Sequence, residues 1–306
     1  MRDAFVRVLM RKAQENPRIV LLTGDLGFGV LKPFWETYPD QFINCGIAEQ
    51  AMVSTAAGLA RTGRTVLVYS IGNFPTLRCL EQIRNDCAYH DADVKIVCVG
   101  GGFVYGSLGM SHHATEDIAI MRALPGVTVY APGDPWETEA VVPVMLSQPG
   151  TCYLRLGRGN EPHIHEGPIQ WQQPKAIQLR EGKDVCILST GGILTEALQA
   201  SVLLDRKGIS TELLSFPCVK PLDEETLLQL FERFEHVFTL EEHTVVGGFG
   251  SAVAEVLSGT GLPCKLHRLG MPDIYSTIVG SQQYLRASYG LSAEGVYQQV
   301  LTSLGK

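Results

Sequence analysis

The chain has 306 residues, 45% of them apolar and 19% charged, with a formal net charge of −7. That length suits two ordinary domains with a sizeable core, and that balance describes a globular protein, not a disordered one. The negative charge, with no basic run carrying interleaved aromatics, argues against a nucleic-acid binder, and no apolar run reaches the roughly 20 residues of a membrane span.

In chain order, Phe5, Val8, Leu9 and Ala13 recur at helical spacing, so the pattern predicts an amphipathic helix over 3–15, ended by Pro17. Ile19-Val20-Leu21-Leu22-Thr23 reads as a buried strand closed by the turn Gly24-Asp25-Leu26-Gly27, followed by an aromatic connection around Phe34-Trp35. A helix of small residues then begins near Glu49, in Asn44-Cys45-Gly46-Ile47-Ala48-Glu49-Gln50-Ala51. Strands are predicted at 65–69, 94–99, 127–130 and 152–156, with helices between them, one of them over 76–88 and another opening at Glu116-Asp117.

Strands that are continuously apolar and alternate with helices argue for parallel sheets covered on both faces. The pattern lapses over a Pro-, His- and Gln-containing stretch and then resumes. Strands follow at 185–189, 211–215 and 237–240, with helices around 194–204 and 251–257 and a closing helix over 291–304. The expected architecture is α/β, two doubly wound domains with mainly parallel sheets, spanning 1–160 and 184–306 and joined by a linker at 161–183. Eight cysteines are scattered without a C-x-x-C pair, most inside apolar runs, and read as small buried hydrophobes in a reducing cytoplasm.

Ligands of such sheets bind outside the carboxyl ends of the strands, where Asp25, the loop at 70–74 and the loop from Gly100 to His113 are all expected. Glu49 is either a first-turn acid favoured by the helix dipole or a chemical tool. His112 and His113 lie in a glycine-rich loop open to a cleft, Arg155 and Arg158 stand at a strand end suited to an anion, and Phe74 is either core or a platform for a flat heterocycle. Gly100-Gly101-Gly102 is no dinucleotide fingerprint, and Walker, H-E-x-x-H and G-x-S-x-G sequences are missing.

Taken together and in order, the motifs resemble the thiamine-diphosphate enzymes of the transketolase family, as a pyrimidine-binding domain followed by the transketolase C-terminal domain. They are Arg2-Asp3-Ala4, Gly24-Asp25-Leu26, Asn44 to Gln50, Phe74 with Arg78, Glu81-Gln82-Ile83-Arg84, and Ser111-His112-His113 with the helix from Glu116. Leu156-Gly157-Arg158-Gly159, Lys220-Pro221-Leu222-Asp223, Glu241-Glu242-His243 and Gly247-Gly248-Phe249-Gly250 complete the series.

The resemblance implies that Glu49 hydrogen-bonds N1′ of the aminopyrimidine and so drives loss of the thiazolium proton. It implies that Phe74 packs on the pyrimidine, that Asp25 and Ile47 belong to the cofactor site, and that His112 contacts the donor's carbonyl or hydroxyl. His113, Arg158, Arg2 and Arg78 join it on the substrate side, the first two arginines at a phosphate, and no metal ligand is expected in this chain. The family's G-D-G motif, which binds the diphosphate through Mg²⁺, is missing. The resemblance therefore implies a separate N-terminal subunit carrying that domain, in a cytoplasmic two-plus-two heterotetramer.

Some family positions differ. Leu108 stands where the family has an aspartate, Gly100 and Gly101 where it often has a histidine, and Gly27-Phe28-Gly29 where many members place a donor-contacting serine. A less polar pocket would suit a modified or deoxy sugar. The expected activity is ketol transfer between sugar-type donors and aldehyde acceptors. The alternatives are a deoxyxylulose-phosphate-synthase-like condensation of pyruvate with an aldehyde, the beta subunit of a 2-oxo-acid dehydrogenase first component, and a non-catalytic scaffold.

Overall fold

The computed structural model describes residues 1–306. The first domain runs α1 (Arg2–Glu15), β1 (Ile19–Thr23), α2 (Phe28–Thr37), β2 (Phe42–Asn44), α3 (Glu49–Ala60), β3 (Thr65–Ile71), α4 (Asn73–Thr76), α5 (Leu80–Gln82), β4 (Val94–Val99), α6 (Asp117–Ala123), β5 (Thr128–Tyr130), α7 (Pro135–Ser147) and β6 (Cys152–Leu156). The second runs β7 (Ile177–Arg180), β8 (Val185–Ser189), α8 (Leu194–Arg206), β9 (Thr211–Ser215), β10 (Cys218–Lys220), α9 (Glu224–Arg233), β11 (His236–Thr244), α10 (Phe249–Ser258), β12 (Lys265–Met271), α11 (Gln282–Ser288) and α12 (Ala293–Ser303). No helix is long and apolar enough to cross a membrane.

The first sheet has the order β10-β5-β6-β4-β3-β1-β2, parallel except for β10. The second has the order β12-β11-β8-β9-β7, parallel except for the edge strand β7. Every residue of β1, β4 and β6 is buried because helices cover both faces of the sheet. One face carries Phe5, Leu9, Phe34 and Val141 from α1, α2 and α7. The other carries Met52, Val53 and Ala56 of α3 with Ile118 and Met121 of α6. Each large side chain so buried contributes roughly 1.5–3 kcal/mol. The small residues Ala56, Ala57 and Ala60 let α3 lie close to the sheet, which fixes where Glu49 stands.

Three local expectations change. The aromatic connection after β1 is the helix α2, whose buried Leu31 and Phe34 outweigh the flanking glycines and the internal Pro33. The helix expected over 76–88 is broken into α4, α5 and a π-helical turn at Ile83–Cys87. The stretch 161–183, expected as linker, contains β7 and is fastened along its length. Asp134 accepts from the Ile164 and His165 amides at 2.8 and 3.1 Å, His165 Nε2 lies 3.0 Å from Glu137 Oε1, and buried Trp171 donates to the Lys175 carbonyl. The domains are also stitched together, because β10 of the second half pairs antiparallel with β5 of the first.

Candidate active site

Because β1 to β4 and β6 are parallel, the segments after them emerge at one edge of the sheet. The chain goes from β1 out to β2 and then crosses to β3 on the other side, so a crevice opens between the outgoing loops of β1 and β3. Asn44 fixes one wall. Its side-chain oxygen accepts from the amides of Asp25 and Gly46, both at 3.0 Å, and its Nδ2 donates to Asp25 Oδ1 at 3.0 Å. Asp25 thereby holds a left-handed backbone, φ 56°, that few residue types other than glycine, asparagine and aspartate adopt readily. Its side chain is exposed, as is that of Ile47 on the following loop.

Glu49 opens α3 and is 4% exposed. Its carboxylate faces a side chain from across the crevice, with Arg78 Nη1 2.8 Å from Oε1. The guanidinium carbon of Arg78 lies 4.6 Å from the centroid of the Phe74 ring. Phe74 in turn meets His112 edge to face at 5.2 Å, and His112 meets Tyr105 at 6.3 Å. Arg158 stands over the Tyr105 ring at 5.7 Å. Glu49, Arg78, Phe74, His112, Tyr105 and Arg158 thus form one continuous line.

Arg2 reaches the same end of the line. Its Nη2 lies 3.4 Å from where a Cβ on Gly159 would be, and its charge, with that of Arg158, partly offsets the upward push that burial gives the Tyr105 hydroxyl. The line therefore carries a carboxylate at one end, aromatic faces and an imidazole in the middle, and two cations at the other. His112 Nδ1 shares a hydrogen bond with Ser111 Oγ at 3.0 Å, which leaves Nε2 to act. Beside Glu49, burial first and the Glu49 charge second push the Cys79 thiol up to about 12, so that it stays protonated.

Two further residues complete the site: Asn44, given no role of its own in the motif it opens, and Tyr105, which the sequence does not single out. Asn44 sets the wall that carries Asp25, and Tyr105 bridges His112 to the arginines. Gly100 makes room for Tyr105, since a Cβ there would lie 2.3 Å from the ring, and its φ of 96° suits glycine.

Other residues read as candidates hold the frame. His113 is only 3% exposed, with Nε2 3.1 Å from the Gly106 carbonyl and its ring edge-on to Phe103. Arg155, read from sequence as a possible anion contact, is buried and committed. It donates to Asp117 at 2.7 Å and to the carbonyls of Ala114 and Glu242, both at 2.9 Å, while Tyr153 donates to the same Asp117 oxygen. Burial alone would weaken its hold on its proton, but Asp117 outweighs that and pushes Arg155 up. Glu242 caps the amide of Phe103 and pairs with Arg286, and Glu241 accepts from the amides of Phe249 and Gly250 at the start of α10. The Glu241-Glu242-His243 run is therefore domain packing.

Two domain families match the sequence: transketolase, pyrimidine binding domain, over residues 1–163, and transketolase, C-terminal domain, over 174–296. The chain is 36% identical to one subunit of the apulose-4-phosphate transketolase of Phocaeicola vulgatus, across 100% of this chain and 97% of that one. It is 38% identical to the 6-deoxy-6-sulfo-D-fructose transketolase subunit of a Clostridium species, across 97% and 92%. A solved structure described as a split gene transketolase, inactive beta4 tetramer, superposes with a TM-score of 0.89 at 35% identity, covering 99% of this chain and 97% of that one.

Proposed function

We infer what this chain does from one premise: it belongs to the transketolase family. It is the C-terminal subunit of a split transketolase, an enzyme that moves a ketol unit between a ketose donor and an aldehyde acceptor and that needs a partner subunit. The related split-gene protein described as inactive in its beta4 form supports that dependence.

The observation that carries the site reading is the line from Glu49 to Arg158. Its residues fit the aminopyrimidine end of thiamine diphosphate. A buried carboxylate and an aromatic face already share one planar, hydrogen-bond-donating group, the guanidinium of Arg78. When bound, the cofactor supplies a nucleophilic carbon and an electron sink. Glu49 would share a proton with the N1′ edge of the aminopyrimidine, Phe74 would take its face, and Asp25 and Ile47 would border it. His112 would hold or move a proton at the donor's carbonyl or hydroxyl, with buried His113 keeping the loop in place. Arg158 and Arg2 would neutralise an anionic terminus such as a phosphate. Mg²⁺ and the diphosphate fall to the N-terminal partner, in a two-plus-two assembly.

Eight unpaired cysteines, six of them buried, fit a reducing cytoplasm. A donor other than an ordinary pentose phosphate fits the apolar side chains Leu108 and Met110, which are 55% and 57% exposed on the loop that carries His112. The names of the two relatives, which concern apulose 4-phosphate and a sulfo-sugar, support the same direction. The test is to purify the chain with its partner and measure cofactor-dependent turnover of a panel of ketoses, and of pyruvate with aldehydes. Ketol transfer with a modified sugar as best donor is expected. Preference for xylulose 5-phosphate would remove the donor reading, and turnover of pyruvate alone would remove ketol transfer.

A further inference from the structure

Glu49 offers a buried carboxylate and Phe74 an aromatic face, and in this structure the same side chain takes both. Arg78 Nη1 is 2.8 Å from Glu49 Oε1 while the guanidinium carbon stands 4.6 Å from the Phe74 centroid. A guanidinium is flat, carries its donors around its edge and is weakly hydrated on its faces, so one such group can pair with a carboxylate and lie over an aromatic ring at once. A protonatable aminopyrimidine presents the same two features, a donating edge and a flat face. Two such groups cannot use one carboxylate edge and one ring face together.

We propose that Arg78 is the resident occupant of the aminopyrimidine position, filling it in the free subunit and leaving it when the cofactor enters. The inference rests on the reading of Glu49 and Phe74 as the cofactor's partners and adds a residue that competes with it.

The chemistry of the free subunit calls for such an occupant. A carboxylate as buried as Glu49 is costly without a partner, and the apolar residues Met52, Val53 and Ala56 that follow it in α3 offer none. Arg78 meets that need without being locked in. Its side chain is 48% exposed, so its stem has solvent to swing into, and its guanidinium has no partner beyond the ion pair with Glu49 and the Phe74 ring.

The backbone, in contrast, is anchored. Gln50 donates to the Arg78 carbonyl at 3.0 Å, and the Cys79 thiol next in sequence is directed to the Phe74 carbonyl at 3.6 Å. The stretch from Asn73 to Cys87 is the broken, π-containing run in which α4 and α5 replace a continuous helix. Leu77 N–H donates to the Asn73 carbonyl at 3.1 Å and Cys79 N–H to the Pro75 carbonyl at 3.2 Å, so Phe74 and Arg78 lie one helical turn apart on the side that meets Glu49. The anchor stays and the head leaves, which is the behaviour of a placeholder.

Such a placeholder has two effects of opposite sign. Removing it should help the cofactor, which no longer displaces anything, and should harm the cofactor-free chain, which is left with a buried unpaired carboxylate. An arginine that served only the substrate would change neither. One that supported the cofactor directly would lower affinity when removed.

The experiment is calorimetric titration of thiamine diphosphate, with Mg²⁺, into the reconstituted two-subunit protein carrying wild-type chain, Arg78→Met, Arg78→Ala, Glu49→Gln or Phe74→Ala. Melting of each chain without cofactor is measured alongside. Losing one half-exposed ion pair and one cation–π contact corresponds to about a fivefold to tenfold change in binding. Arg78→Met and Arg78→Ala are therefore expected to bind the cofactor that much more tightly and to melt a few degrees lower without it. Raising the salt concentration should narrow the gap, because it weakens the pair in the wild-type chain.

Unchanged or weaker binding by both Arg78 variants, while Glu49→Gln and Phe74→Ala lose affinity, overturns the placeholder and leaves the site reading standing. Wild-type affinity in Glu49→Gln and Phe74→Ala overturns the site reading, and the placeholder with it.

Discussion

Two arginine–carboxylate pairs stand at the carboxyl edge of the first sheet, and they are built in opposite ways. Arg155 and Asp117 are both buried, and the pair is tied to Tyr153 and to carbonyls from residues 114 and 242. Arg78 and Glu49 pair a buried acid with a half-exposed base and nothing more. The first is buried on both sides and held through the Arg155 Nε and Nη2 donors, and it sits where the two domains meet. The second leaves a carboxylate whose only partner can depart. What separates the two pairs is burial of the base, which is closed off in the first and reaches solvent in the second.

The sharpest way to break this contrast is at the acids and bases themselves. Glu49→Gln or Glu49→Ala should lower kcat of the reconstituted enzyme by about a thousandfold or more, the scale of a lost proton-transfer group, with circular dichroism unchanged. A mutant that kept most of its activity would place Glu49 with the structural acids. Arg155→Met should do the reverse. It strands Asp117 in the interior and should cost about 3–5 kcal/mol in denaturant unfolding, with the loss partly recovered by a simultaneous Asp117→Leu.

Arg158→Ala tests the far end of the site line. It should raise KM for a phosphorylated donor roughly tenfold to a hundredfold, leave KM for a neutral donor nearly unchanged, and move stability by less than about 0.5 kcal/mol.

A third pair falls between these extremes and sets the smallest effect. His165 lies on the segment joining the domains and meets Glu137. Burial would lower its pKa from 6.5, but the hydrogen bond to Glu137 and the charges of Glu137 and Asp134 outweigh that and raise it. A raised histidine adds stability fully below its unfolded value and loses it as the pH climbs past the folded one. Wild-type melting should therefore fall slightly relative to His165→Gln between about pH 6 and pH 8, and parallel curves would show that the pair contributes nothing.

Much of this was legible in the chain because burial on both faces leaves a largely apolar run, which marks β1, β3 and β8, and β4 and β6 despite Lys95 and Arg155, without knowledge of their neighbours. The edge elements were not legible. The strand Lys265–Met271 mixes polar and apolar residues because one side of it meets solvent, and Ile177–Arg180 hides in a polar stretch for the same reason. Cys218–Lys220 is three residues long and is defined only by its partner.

The site divides along the same line. Glu49, Phe74 and His112 sit in ordered motifs that the family resemblance proposes for the site, and the structure brings their side chains together through Arg78. Arg155 could not be separated from Arg158, because what commits it is a carbonyl 87 residues away. Tyr105 and the clamp role of Asn44 depend on loop geometry, and no period in the sequence records it.

The pairing of β10 with β5 also bears on how the protein comes into being. A ribosome delivers residues 1–163 well before residues 218–220, so a first sheet that folded in that interval would leave β5 as a bare edge. Unpaired edges invite other chains. The pyrimidine-binding half made alone should therefore be prone to self-association, because it lacks the three-residue strand by which the second half covers that edge.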